Sequence, residues 1–192
     1  MSTANNNGTV LLVMDIQKQM MSYLPDPNPL LNSVNAAVTS ARDAGMEVIY
    51  MVLSFRNGYP EINPRHKTFS GIMNSGGLFT EEHEGTAVHQ AVAPKEGELV
   101  LPKRRVSGFA GSDLEMVLKA KNTHHLVISG FATSGIVLNT IREAADKDYQ
   151  LTILSDACAD PVSETHDFLM KKIFPASGEV ITTEEWTKSL TK

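Results

Sequence analysis

Two ionisable residues close hydrophobic runs in this chain. Asp15 ends "TVLLVMD" and Lys103 ends "ELVLPK". A carboxylate at the end of an apolar strand is costly unless it is paired or hydrogen-bonded. Asp15 therefore reads either as a turn acid that closes the strand or as an acid or base at the mouth of a sheet, with Gln17 close behind it. Lys103 reads either as one member of a solvated Lys103-Arg104-Arg105 cluster or as an ammonium leaning over the same mouth. A cation beside Asp15 would hold it ionised. A proton shared by the two would suit acid–base chemistry near neutral pH.

A third stretch, "ISGFATSGIVLNTIREA" from Ile128 to Ala144, reads as a buried strand, a tight corner and a helix. Many α/β enzymes place a nucleophile at such a corner. Here it offers Thr133, Ser134, Gly135 and Ile136. No G-x-S-x-G elbow, P-loop or dinucleotide motif is present. The six histidines form no metal-ligand spacing, so neither a metal nor a cofactor is expected. Cys158 has no evident activating partner and reads as a buried structural thiol.

These residues need a frame. Near-continuous apolar runs in "TVLLVMDIQ" (Thr9–Gln17), "MEVIYMVLSF" (Met46–Phe55) and "HHLVISGFA" (His124–Ala132) predict parallel strands buried in the sheet. Leu30, Leu31, Val34, Ala37, Val38 and Ala41 recur at helical spacing and Gly45 follows them as a stop. Ser112 with Glu115 reads as a capping box, and Ser163 as a helix cap. Strands alternating with helices predict an α/β three-layer fold with a mostly parallel, five- to six-stranded sheet and helices on both faces. Ligands in such sheets bind at the carboxyl ends of the strands. That end collects Asp15, Phe55, Arg56, Lys103 and the corner at 133–136. The stretch from Arg56 to Glu98 is long, rich in Gly and Pro and weakly periodic, which marks a functional loop.

The 192 residues suit a single domain over 9–192, with a disordered tail at 1–8. A net charge of -5 argues against nucleic acid as a partner. No apolar run is long enough for a membrane span. A lone cysteine and the absence of a targeting pattern predict a cytoplasmic protein.

"LLVMDIQ", "FRNGYPEI", "LPKRRVSGFAGSDLE", "ISGFATSGIVLNTIREAADKDYQLTILSDACAD" and "ETHDFLMKKIFP" together resemble the isochorismatase-like hydrolases, in order, from about Thr9 to Trp186. The resemblance implies a homo-oligomer, dimer or tetramer, that acts on a small molecule. The family's cysteine enzymes use an Asp-Lys-Cys triad. Asp15 and Lys103 match its first two members, the latter in a K-x-x-x-S-x-F context with Ser107 and Phe109 in place. The nucleophile belongs in a pattern like G-x-A-T-D-x-C-V-x-x-T. Here that cysteine position is Ile136 and the preceding Asp is Ser134. The metal site of the nicotinamidase type has no match after the second strand, where Leu53-Ser54-Phe55-Arg56 stand.

A thioacyl-enzyme route cannot run without a thiolate. The family also contains true isochorismatases, which lack the cysteine and hydrolyse a vinyl ether with the Asp as general acid. The resemblance therefore implies a hydrolase in which Asp15 and Lys103 handle the proton with no covalent intermediate, vinyl-ether-type hydrolysis included. The alternatives are an inactive member that binds a small molecule, and a scaffold whose mouth is filled by side chains. The implied pocket consists of Gln17, Phe55, Arg56, Tyr59, Phe109, Ala132, Thr133, Ser134 and Gly135 around Ile136. Phe55 and Tyr59 would be apolar walls, and Arg56 an anchor for an anionic substrate. A cis peptide is implied at Phe131–Ala132 or Ala132–Thr133.

Overall fold

A computed structural model describes residues 8–190. The expected disordered tail lies outside the described residues except for Gly8, whose carbonyl accepts from the His124 and His125 N–H groups at 2.9 and 3.1 Å. The elements run β1 (Thr9–Met14), α1 (Lys18–Met21), α2 (Asn28–Asp43), β2 (Glu47–Leu53), β3 (Leu99–Lys103), α3 (Leu114–Ala120), β4 (His125–Phe131), α4 (Leu138–Asp146), β5 (Gln150–Ala159), α5 (Ser163–Phe168), β6 (Glu179–Ile181) and α6 (Thr183–Leu190). They form the α/β fold the alternation predicts. The sheet has six strands in the order β3-β2-β1-β4-β5-β6, and every pairing is parallel.

Burial follows the apolar patterning. Val10, Leu12 and Met14 face a core shared with α3 and α4, while Leu11 and Val13 face one shared with α2 and α6. Alternation along a strand sends neighbours to opposite faces, so a central strand must be apolar at every position. Both faces are therefore covered, and β1 sits between β2 and β4 at the heart of the sheet.

The long connection after β2 is more ordered than its weak periodicity implies. Leu53, Phe55, Tyr59, Ile62, Phe69 and Phe79 form a third apolar cluster of their own. Short 3-10 turns at Ser70–Asn74, Glu84–Thr86 and Gln90–Val92 carry the chain back to β3.

Two expected caps take other roles. α3 begins at Leu114, after Ser112. The Ser112 hydroxyl accepts from the Leu114 N–H at 3.2 Å, while Glu115 pairs with Lys119 and Lys147 instead of closing a capping box. Ser163 is the first residue of α5 and its hydroxyl turns to Glu164, while Asp160 accepts the Val162 N–H at 3.2 Å. In both places a competing charged partner outweighs the local capping geometry.

Candidate active site

Asp15 follows β1 directly, in a left-handed conformation with φ 55°. Its N–H donates to the Met51 carbonyl at 2.9 Å, so the backbone keeps its tie to β2 while the chain turns. Lys103 ends β3, one strand further out, in register with Leu53. The lysine side chain spans the end of β2 to reach Asp15. Nζ lies 2.9 Å from Asp15 Oδ2, with the two side chains 2% and 5% exposed. The other carboxylate oxygen accepts the Leu53 N–H at 3.1 Å, and Nζ also donates to the Arg105 carbonyl at 3.2 Å.

Burial pushes the Asp15 carboxyl above its ordinary value, against the opposing pull of Lys103 and the Leu53 N–H. The pair is thus a desolvated ion pair and not a solvated cluster. Neither the bare turn-acid reading of Asp15 nor the solvated reading of Lys103 describes this geometry.

β4 brings the corner alongside. Gly130, beside Met14 in the β1–β4 register, adopts φ +155°, and a Cβ there would come within 2.5 Å of the Met14 carbonyl oxygen. Only glycine lets the two strands approach this closely at the point where the chain turns. The Phe131–Ala132 peptide is cis, at one of the two positions the resemblance implies. Ile136 is 2% exposed and packs in the core shared by Met14, Met51, Leu101 and Phe109. The side chain at the nucleophile position therefore fills space.

Several residues expected to line a pocket serve the frame instead. Gln17 is wholly buried. Its amide donates to the Leu53 and Thr86 carbonyls at 3.0 and 2.7 Å and accepts the Leu53 N–H at 2.9 Å, so it is a strut between β2 and the long connection. Phe55 is fully buried among Tyr59 and Phe69, with ring centroids 6.0 and 5.5 Å away. Tyr59 donates its hydroxyl to the Leu78 carbonyl at 2.9 Å. Phe109 turns toward Tyr149 and lies under Lys147, 5.5 Å from its ring centre. Arg56 is 65% exposed and shares the Glu61 carboxylate, at 2.6 Å, with Arg104 at 3.2 Å, so it is tied to the surface of the connection. Ala132 and Gly135 remain part-exposed, and Ser134 exposed.

Two residues outside the expected site, His166 and Asp160, hold the corner. His166 Nδ1 lies 2.8 Å from the buried Thr133 hydroxyl, and Asp160 accepts the Ser134 N–H at 2.7 Å. Both come from the segment after β5. They are too far along the chain for any local pattern to link them to the corner.

Cys158 is buried on β5, with Sγ 3.9 Å from the Ile128 carbonyl. Burial pushes its thiol up to about 12. Since the thiolate is the reactive form, the native protein will incorporate no iodoacetamide at pH 7.5 within an hour, while the urea-unfolded chain will be alkylated. Intact mass spectrometry reads both, and stoichiometric labelling of the folded protein would contradict this placement. Among the described residues no group of His, Cys, Asp and Glu is arranged to hold a metal ion. No described helix is long and apolar enough to cross a membrane.

Comparison with known proteins names the family of this parallel sheet with an acid, a lysine and a tight corner at its carboxyl edge. The model of the Isochorismatase domain matches residues 9–185. The chain belongs to the isochorismatase family. It is 29% identical over 170 residues to the ureidoacrylate amidohydrolase RutB of Stutzerimonas stutzeri strain A1501, covering 78% of this chain and 68% of that protein. It is 30% identical over 169 residues to the isochorismatase family protein YddQ of Bacillus subtilis strain 168, covering 88% and 84%. Among solved structures, a cysteine hydrolase from Pseudomonas syringae pv. phaseolicola 1448A superposes with a TM-score of 0.89 at 22% identity, over 100% of this chain and 96% of that one. N-carbamoylsarcosine amidase from Thermoplasma acidophilum gives 0.75 at 20% identity, over 92% and 96%. At these identities the superpositions speak for the fold alone.

Proposed function

We propose that this isochorismatase-family chain hydrolyses a small molecule without a covalent enzyme intermediate, with Asp15 and Lys103 as the proton-handling pair. The observation that supports this is the buried Asp15–Lys103 contact at 2.9 Å, together with an isoleucine buried at the position where the resemblance would put a nucleophile. Burial raises the Asp15 carboxyl, while Lys103 and the Leu53 N–H pull it back down. A general acid in a desolvated site is what protonation of an enol ether requires. Water then attacks the oxocarbenium-like carbon, and no thiol takes part.

Ile136 in place of a nucleophile supports a second reading, a member that binds its ligand without turnover. A panel of isochorismate, ureidoacrylate, nicotinamide and simple amides, followed by product chromatography, separates the two. Turnover of any member by iodoacetamide-treated protein is the expected result. Saturable binding with no product from any bound compound would replace the proposal by the second reading.

A further inference from the structure

A second opening lies at the other end of the sheet from Asp15 and Lys103. Where the strands begin, Thr9 of β1, His125 of β4, Gln150 and Thr152 of β5 and Glu179 of β6 meet Trp186 of α6 around a cleft of about 410 Å³. That volume falls within the range of small-molecule sites. Sheets of this class do their chemistry at the carboxyl ends of the strands, so a cleft at the amino ends is a place for binding and not a second catalytic centre.

The wall of the cleft combines three kinds of surface. Met46, Ile181 and Leu190 supply apolar area. Trp186 is only 3% exposed, yet its indole N–H has no hydrogen-bond partner among the described residues. An indole N–H in a buried setting ordinarily finds an acceptor. The rim carries two exposed acids, Glu179 and Glu185. Glu179 stands beside Thr152 in the β5–β6 register. Glu185 accepts the Thr182 N–H and hydroxyl through Oε2, both at 2.8 Å.

The charge of the cleft is one-sided. Neither acid has an ion-pair partner among the described residues, and no described lysine or arginine lines the opening. Lys188, whose charge reaches Glu185, is paired with Glu184. His125 Nε2 is engaged with the Thr152 hydroxyl at 3.0 Å. Burial holds that imidazole below its ordinary value, so it adds no positive charge near pH 7. An apolar cleft with acids of one sign at its rim selects a cation with an apolar body.

We infer that this cleft binds a small organic cation, with its ammonium group at Glu179 and Glu185, its apolar body against Met46, Ile181 and Leu190, and a hydroxyl oxygen accepting from the Trp186 N–H. The site is at the opposite end of the sheet from the Asp15–Lys103 pair, so the inference stands apart from the proposed chemistry.

Trp186 is the chain's one tryptophan, so a proton–nitrogen correlation spectrum of the full chain shows one indole signal that reports on this cleft alone. Tyramine is expected to shift that signal saturably, with half-saturation near or below about 1 mM, the scale for a ligand of its size. Phenethylamine, which lacks the hydroxyl, should bind about 2- to 10-fold more weakly. Phenylacetate, an anion of similar shape, should leave the signal in place. Glu179→Gln and Glu185→Gln each remove one rim charge from an exposed position, and each should weaken tyramine binding about 2- to 5-fold. Glu184→Gln removes an acid that does not line the cleft and should change nothing. An indole signal unmoved by tyramine to about 10 mM, well above that half-saturation, would overturn the inference. Equal shifts with phenylacetate would overturn the selection for a cation. Equal weakening by Glu184→Gln and the two rim variants would reduce the effect to general attraction by an acidic surface and overturn the site.

Discussion

Lys103→Met will destabilise the fold by about 3–5 kcal/mol near neutral pH, the usual cost of leaving one member of a buried ion pair without its partner. Asp15 keeps the Leu53 N–H but loses the ammonium at 2.9 Å. Its carboxyl, already raised by burial against the pull of Lys103, rises further when that pull is removed. The sign of the pH dependence follows. A carboxyl whose folded pKa lies above its unfolded value of about 3.9 binds more protons in the native state. Its neutral form supports the fold below that value, and this support is lost as pH rises through the raised native pKa. The variant will therefore sit nearer the wild type at pH 5 than at pH 8. Urea unfolding at the two pH values measures this directly. Equal losses at both, or a loss under about 1 kcal/mol, would show that the pair is solvated and only weakly coupled to the fold.

Ile136→Ala will cost about 2–5 kcal/mol, from lost transfer energy and the cavity left among Met14, Leu101 and Phe109. Ile136→Val should cost about 0.5–1.5 kcal/mol. The size of the alanine loss carries functional meaning. An isoleucine that fills the core closes the place where a thiol would attack. An isoleucine that merely lines an open pocket would leave little cavity behind. A loss below about 1 kcal/mol on thermal or urea unfolding would therefore contradict the placement at 2% exposure. It would put Ile136 on a substrate surface instead.

The frame was legible in the sequence because its signals are local. The runs at Thr9–Met14 and His125–Phe131 are apolar at nearly every position, and only a central parallel strand buries both faces. The Asp15–Lys103 pair was legible as two candidates at the mouth of the sheet. Their meeting was not, because it depends on β2 lying between β1 and β3 and on the reach of one lysine across it. The role of Gln17 was hidden for the same reason, since its carbonyl partners Leu53 and Thr86 are 36 and 69 residues away. Phe55 and Tyr59 were expected as pocket walls from their place after β2. They are claimed instead by a small core that the connection builds from aromatic residues too irregularly spaced to show a period. Arg56 was read as free because Glu61, only five residues on, lies in an irregular turn whose geometry no sequence pattern announces.

The most direct test of catalysis without a thiol is the initial rate of isochorismate hydrolysis by wild type and Asp15→Asn, both treated beforehand with iodoacetamide. The asparagine keeps the shape of the side chain and removes its acid. The expected result is measurable turnover by the iodoacetamide-treated wild type and a loss of at least about 100-fold in the variant, the scale of a general acid's contribution. Equal rates in the two proteins, or a wild-type rate abolished by alkylation, would contradict the role given to Asp15 and Lys103.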